Sequence, residues 1–159
     1  MEKNVFQPDI LSVDCIGCAI SSGRIVPPGG VIKETGNFLL HQDPEVPIEG
    51  FLILTAKKHV RSITELSQSA RYELMDLMYK AISAIKKLKI SEEVTIIQEE
   101  RSQHLHPWIF PRHTWMEPLF SSGVSNYRDV MAYAKTNNKD AENIQKVMNT
   151  VETLKTVIN

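Results

Sequence analysis

His104-Leu105-His106-Pro107-Trp108-Ile109-Phe110-Pro111-Arg112 is the stretch on which the reading of this chain turns. Taken as a strand from His104 to Phe110, it sends alternate side chains to opposite faces, so His104, His106 and Trp108 share one face. The two imidazoles then stand roughly 6.5–7 Å apart along the backbone. Three readings are open: two surface polar groups, two ligands of one metal ion, or one ligand beside one imidazole free for chemistry. Pro111 closes the run.

Upstream, Val94-Thr95-Ile96-Ile97 reads as another strand, separated from the first by the charged Glu99-Glu100-Arg101. Gly50-Phe51-Leu52-Ile53-Leu54-Thr55 is an apolar run suited to a central strand buried on both faces. Val31 to Thr35, a Gly36-Asn37 turn and Phe38 to His41 predict a hairpin. Between them Leu66, Ala70, Leu74, Leu77, Met78, Ala81, Ile82, Ile85 and Leu88 recur at helical steps, which predicts one long amphipathic helix capped by Ser67 or Ser69. After Phe120 the spacing is helical again: Val130, Met131 and Ala134, a break at Asn137-Asn138, then Ile144, Val147, Met148, Val151, Leu154 and Ile158. That last stripe suits packing on its own domain or across a dimer interface. The order of elements gives an α+β architecture with a largely antiparallel sheet.

With 159 residues, 42% hydrophobic and 23% charged, the chain is the size and composition of one globular domain. A net charge of -1 argues against a nucleic-acid coat or a membrane-surface role, so any anion site must be local. Met1 to Leu11 has no apolar stretch suited to a signal peptide, and Phe51 to Leu54 is too short to span a bilayer. A cytoplasmic protein is the expectation. The two cysteines lie in Cys15-Ile16-Gly17-Cys18, inside a turn-rich opening that includes Ser21, Ser22, Gly23, Pro27, Pro28, Gly29 and Gly30. Their spacing lets two thiolates grip one metal ion, but a tetrahedral zinc shell needs two more ligands, to be found among His41, His59, His104, His106 and His113. A redox pair is the other reading, and it lacks the usual strand-to-helix setting.

From Asp14 to Cys18, through Gly50 to His59, to His104 to Arg112, the chain resembles the histidine-triad proteins. The resemblance covers about residues 12–115 and leaves a helical extension at about 120–159. It implies a sheet of about five antiparallel strands with a long helix packed on it and extra C-terminal helices. It also implies a structural zinc held by Cys15, Cys18, His59 and His104. In similar proteins the second histidine attacks the α-phosphorus of a nucleotide, a role that falls on His106. A neutral imidazole suits that role, since its other nitrogen can be held by a backbone carbonyl that sets the tautomer. Asp43 stands where similar proteins carry an aspartate that accepts from ribose hydroxyls; the alternative is a turn residue before Pro44. Ile32 and Phe38 are expected to face the base. The galactose-1-phosphate uridylyltransferase branch is similar in its cysteine pair and His-x-His.

The chain departs from that pattern at two places. Trp108 replaces the third histidine, and an indole donates one N–H but transfers no proton at neutral pH. The neutral donors of a glycine-rich turn are replaced, position for position, by Glu100 and Arg101. Arg101 suits a phosphate, as do Arg112 and His113, while Glu100 must turn away; Arg112 reads equally as a solvated surface residue. The implied function is a phosphohydrolase or nucleotidyltransferase, acting on a phosphoanhydride such as a dinucleoside polyphosphate through His106, Asp43, Arg101, Trp108 and Arg112. A non-catalytic nucleotide-binding or regulatory module is the alternative, and assembly through the zinc site without any nucleotide is a third. Similar proteins are commonly homodimers.

Overall fold

A computed structural model describes Phe6 and residues 13–158. The expectation about a leader in Met1 to Leu11 therefore lies outside the described residues, Phe6 apart. The elements run α1 (Ile16–Ser21), β1 (Val31–Glu34), β2 (Phe38–Gln42), β3 (Leu52–Ala56), α2 (Gln68–Lys87), β4 (Val94–Ile97), β5 (Trp108–Pro111), α3 (Tyr127–Asn137) and α4 (Ala141–Val157), with short 3-10 turns between some of them. The strands form one antiparallel sheet in the order β1-β2-β3-β5-β4.

Period-two alternation divides the sheet into two unlike faces. Phe38, Leu40, Leu52, Leu54 and Ile109 point to the face covered by α2 and α4, where they pack with Leu74, Leu77, Ile85, Val151 and Leu154. Leu39, Ile53, Trp108 and Phe110 point to the other face, which α1 covers at one end with Ala19 and Ile20 and α3 covers at the other with Val130 and Ala134. Ser67 caps α2 through its hydroxyl, which accepts from Ala70 N–H at 3.2 Å. The Gly36-Asn37 turn is held by the Glu73 carboxylate of α2, which accepts both backbone N–H groups at 3.1 and 2.7 Å.

Three sequence expectations change here. The strand expected from His104 to Phe110 begins only at Trp108. Pro107 has no N–H to give the ladder, although the carbonyls of Leu105 and Pro107 still accept from Ala56 and Leu54 at 3.1 and 3.0 Å. The cysteine pair lies at the start of a six-residue helix rather than in a loop, with Cys15 as its N-cap. Ile32 and Phe38 are buried on the α2/α4 face, away from the functional residues described below, because their parity in the hairpin places them there. The open choice about the tail also resolves: Val151, Leu154 and Ile158 are buried against the chain's own sheet and α2.

Candidate functional site

The four expected metal ligands converge. Cys15 and Cys18 come from the first turn of α1, His59 from the loop after β3 and His104 from the bend before β5, and their ligand atoms all lie within 4.8 Å of one another. Cys15 Sγ is 3.5 Å from His59 Nδ1 and 3.3 Å from His104 Nδ1. Cys18 Sγ is 3.1 and 3.7 Å from the same two nitrogens, which are 3.3 Å apart. A tetrahedral zinc, with bonds of about 2.3 Å to sulfur and about 2.0–2.1 Å to nitrogen, would set such edges at about 3.3–3.8 Å. The donor set therefore fits a closed, structural zinc site.

The outer contacts fit as well. His104 Nε2–H donates to the Ala56 carbonyl at 2.8 Å, which leaves Nδ1 as the lone-pair nitrogen facing the sulfurs. Burial lowers the His104 pKa and so favours the neutral form that a metal needs. Gly17 lies flat against this imidazole: a Cβ there would fall 2.4 Å from His104 Cδ2. Gly17→Ala is expected to push the ring off the ligand position and to cost about tenfold or more in zinc affinity. Competition with a chromophoric chelator measures it, and wild-type affinity in the variant would contradict the arrangement.

His106 stands beside the cluster and outside it. Its Nδ1–H donates to the His104 carbonyl at 2.6 Å, and Ser102 Oγ lies 3.3 Å from the same nitrogen. This fixes the tautomer and leaves Nε2 as an unprotonated lone pair with no protein partner among the described residues. The half-buried ring forms part of the wall of a hollow of ≈ 340 Å³ on the α1/α3 face. Ile16, Ile20, Ile53 and Met131 give that hollow an apolar side; Asp43, Ser102, Gln103 and Trp108 line it too.

Asp43 forms the turn that one of its sequence readings expects. Its Oδ1 accepts from the N–H groups of Glu45 and Val46 at 2.8 and 2.7 Å, a turn-forming pattern, while the residue also lines the hollow. Burial pushes its carboxyl up to about 6, offset in part by those two hydrogen bonds. Arg101 lies at a second, adjoining hollow that shares Ser102, His106 and Trp108 with the first. Arg112 is not brought to His106. Six residues of extended chain, roughly 20 Å, separate the two; Arg112 and His113 line a different hollow with Glu49 and Lys146. His113 Nε2–H donates to the Glu49 carbonyl at 2.8 Å.

Sequence reasoning missed several residues of the site. The donor turn aligned with Glu100 and Arg101 is a 3-10 turn over Glu100–Ser102 followed by Gln103 at φ 65°; Ser102 and Gln103 line the hollow and Ser102 reaches His106, whereas Glu100 lines neither hollow. A polar pair directly before His104 was the available signal. His41, in sequence only one of five possible metal ligands, is fully buried. Its Nδ1–H donates to the Gln42 carbonyl and its Nε2 accepts from Thr55 Oγ1, both at 2.8 Å, beneath the hollow.

Burial pushes the His41 pKa down from 6.5 to about 4, with the Gln42 hydrogen bond opposing. Between those values the unfolded chain binds a proton that the folded chain refuses. The stability from neutral His41 is thus present above about pH 6.5 and lost as pH falls toward 4, by on the order of 2 kcal/mol between pH 7 and 5. Urea melts of wild type and His41→Gln at both pH values check this. The variant should lose less on acidification, and equal losses would contradict it.

No protein-family model matches the chain and no curated protein matches its sequence. Solved structures do match its fold. A zinc-bound histidine-triad family protein from Mycobacterium smegmatis superposes with a TM-score of 0.57 at 16% identity over 90% of this chain and 96% of its own. A HIT family protein from Bacillus anthracis gives a TM-score of 0.57 at 20% identity over 88% and 96%. A Hit-like protein from Bartonella henselae, described as involved in cell-cycle regulation, gives 0.56 at 19% over 86% and 96%. The five-stranded antiparallel sheet and its helices are those of the histidine-triad fold. On that fold this chain carries a Cys2His2 cluster whose geometry fits structural zinc and the stretch His104-Leu105-His106-Pro107-Trp108 beside it.

Proposed function

We propose that this protein is a zinc-stabilised, nucleotide-binding phosphohydrolase or nucleotidyltransferase acting on a phosphoanhydride such as a dinucleoside polyphosphate. The observation that carries the reading is the His106 tautomer: Nδ1–H is tied to the His104 carbonyl at 2.6 Å, so Nε2 presents its lone pair at the wall of a hollow that suits a nucleoside. When bound, zinc supplies structure only, clamping His104 and with it the backbone carbonyl that orients His106. His106 Nε2 attacks the α-phosphorus; the P–N bond forms as the anhydride P–O bond breaks, and the electron pair leaves on the departing phosphate. Water or another acceptor then breaks the P–N bond. Asp43 accepts from the ribose hydroxyls in its ionised form, and the apolar wall of Ile16, Ile20, Ile53 and Met131 receives the base.

Trp108 offers no acid, so a leaving group that departs as a stable anion is handled and an amine leaving group is not. The test uses two labelled substrates with the same nucleoside, one phosphoanhydride and one phosphoramidate. A short-lived, acid-labile adduct on His106 and faster turnover of the anhydride are expected. Equal turnover of the phosphoramidate would remove the leaving-group argument; binding of nucleotide with neither adduct nor turnover would support the non-catalytic module, for which the loss of the third histidine is the specific observation.

The protein is further proposed to be a cytoplasmic homodimer. Two thiols serving as metal ligands suit a reducing compartment, and no helix among the described residues is long and apolar enough to cross a membrane. The edge strand β4, helix α2 and the 3-10 turn before it place the exposed Ile96, Met75 and Ile63 along one apolar groove, which suits pairing with a second copy.

A further inference from the structure

The hollow adjoining the nucleoside-sized one has a different chemistry. It encloses ≈ 200 Å³ and is lined by Ile97, Glu99, Arg101, Ser102, Arg128 and the shared His106 and Trp108. Its two guanidiniums come from separate elements, Arg101 from the turn before His104 and Arg128 from the first turn of α3. Both point at one carboxylate oxygen: Glu99 Oε2 is 2.9 Å from Arg128 Nη2 and 3.5 Å from Arg101 Nη2. Two cations thus share one internal anion, and the hollow keeps a net positive charge in a protein whose overall charge is -1. All three side chains are substantially exposed, so the pair with Glu99 is weak and exchangeable.

We infer that this hollow is an anion subsite that holds the polyphosphate leaving group of the substrate, with Arg128 and Arg101 as its binding residues and Glu99 as the intramolecular anion that the phosphates displace. The inference rests on the catalytic reading above and names the part of the substrate that reading leaves unplaced. His106, Ser102 and Trp108 border both hollows, so the scissile phosphate sits where they meet, with the nucleoside on the apolar side and the remaining phosphates on the arginine side. As the Nε2–P bond forms and the P–O bond breaks, the electron pair stays on the departing oxygen. The two guanidiniums stabilise that charge without transferring a proton. This compensates for the acid that Trp108 does not provide. Arg128 lies beyond the segment that resembles the triad proteins, and α3 brings it to the site.

Binding of inorganic tripolyphosphate by the zinc-loaded protein tests the subsite without requiring turnover. Isothermal titration should show affinity falling about tenfold or more in Arg128→Gln and in Arg101→Gln, and rising several-fold in Glu99→Gln. Lys146→Gln removes the same charge from the distant hollow and should leave affinity within about twofold. Absent binding, or equal weakening in Arg128→Gln and Lys146→Gln, overturns the subsite even if wild type turns over a dinucleoside polyphosphate through His106. The expected charge pattern without any turnover sustains the subsite and removes the catalytic reading instead.

Discussion

His106→Gln is expected to abolish the nucleotidyl adduct and to lower turnover of a dinucleoside polyphosphate by about a thousandfold or more, while zinc content and nucleoside monophosphate affinity stay near wild type. The size of the effect follows from the position of the nucleophile. Nε2 is the nitrogen left free by the His104 carbonyl bond, and the other imidazoles at the hollow among the described residues are committed: His41 has both nitrogens bonded, His104 turns Nδ1 to the sulfurs and Nε2 to Ala56, and His59 turns Nδ1 to the sulfurs, so that its Nε2 would carry the proton in the zinc-bound protein. Glutamine retains polarity and rough size but cannot form a P–N intermediate. Single-turnover quench with mass spectrometry reads the adduct directly. Near-wild-type turnover in the variant would place the nucleophile elsewhere and end the nucleotidyl-histidine mechanism.

Removing the zinc ligands should give the largest loss of stability. Cys18→Ser, or chelation of the wild type, is expected to cost on the order of 5 kcal/mol, less than the full binding free energy of a small zinc fold because the sheet and its α2/α4 core persist. The cluster joins segments 44 and 89 residues apart in sequence, Cys15 to His59 and Cys15 to His104. Without the ion, two thiols and two imidazoles crowd one point with nothing to reward their approach. Local opening should begin in α1, which carries Ile16 and Ile20 of the nucleoside wall, so hydrogen exchange should rise first over residues 15–25 and nucleotide affinity should fall with it. Metal analysis should find one zinc per chain. Unchanged melting and exchange after complete chelation would show that the cluster does not support the fold.

Legibility differed by kind of residue. Spacing marked Cys15 and Cys18 as a metal-gripping pair, the resemblance to the histidine-triad proteins implied His59 and His104 as their partners, and the structure brings all four within reach of one ion. The strands β1 to β4 and the helices α2 to α4 were readable from periodicity, since burial of one face repeats every two residues or about every 3.6. Ile32 and Phe38 misled because a hairpin's apolar residues announce burial without saying on which side of the sheet. Arg112 misled because a basic residue near a motif in sequence lies roughly 20 Å away once the chain is extended.

The chain's own order of residues was enough to determine its α+β class, its long capped helix and a Cys-x-x-Cys pair in need of two further ligands, because each depends on local periodicity or on donor chemistry; the choice of His59 and His104, with His106 left free, is what the resemblance to the histidine-triad proteins implies. Tertiary structure alone decided that α4 packs on its own sheet, that α3 carries Met131 and Arg128 to His106, that His41 is buried neutral beneath the hollow, and that Ser102 and Gln103 rather than Glu100 face it. Those outcomes depend on which surfaces meet across segments far apart in the chain, and side-chain pattern within a segment carries no information about its partner.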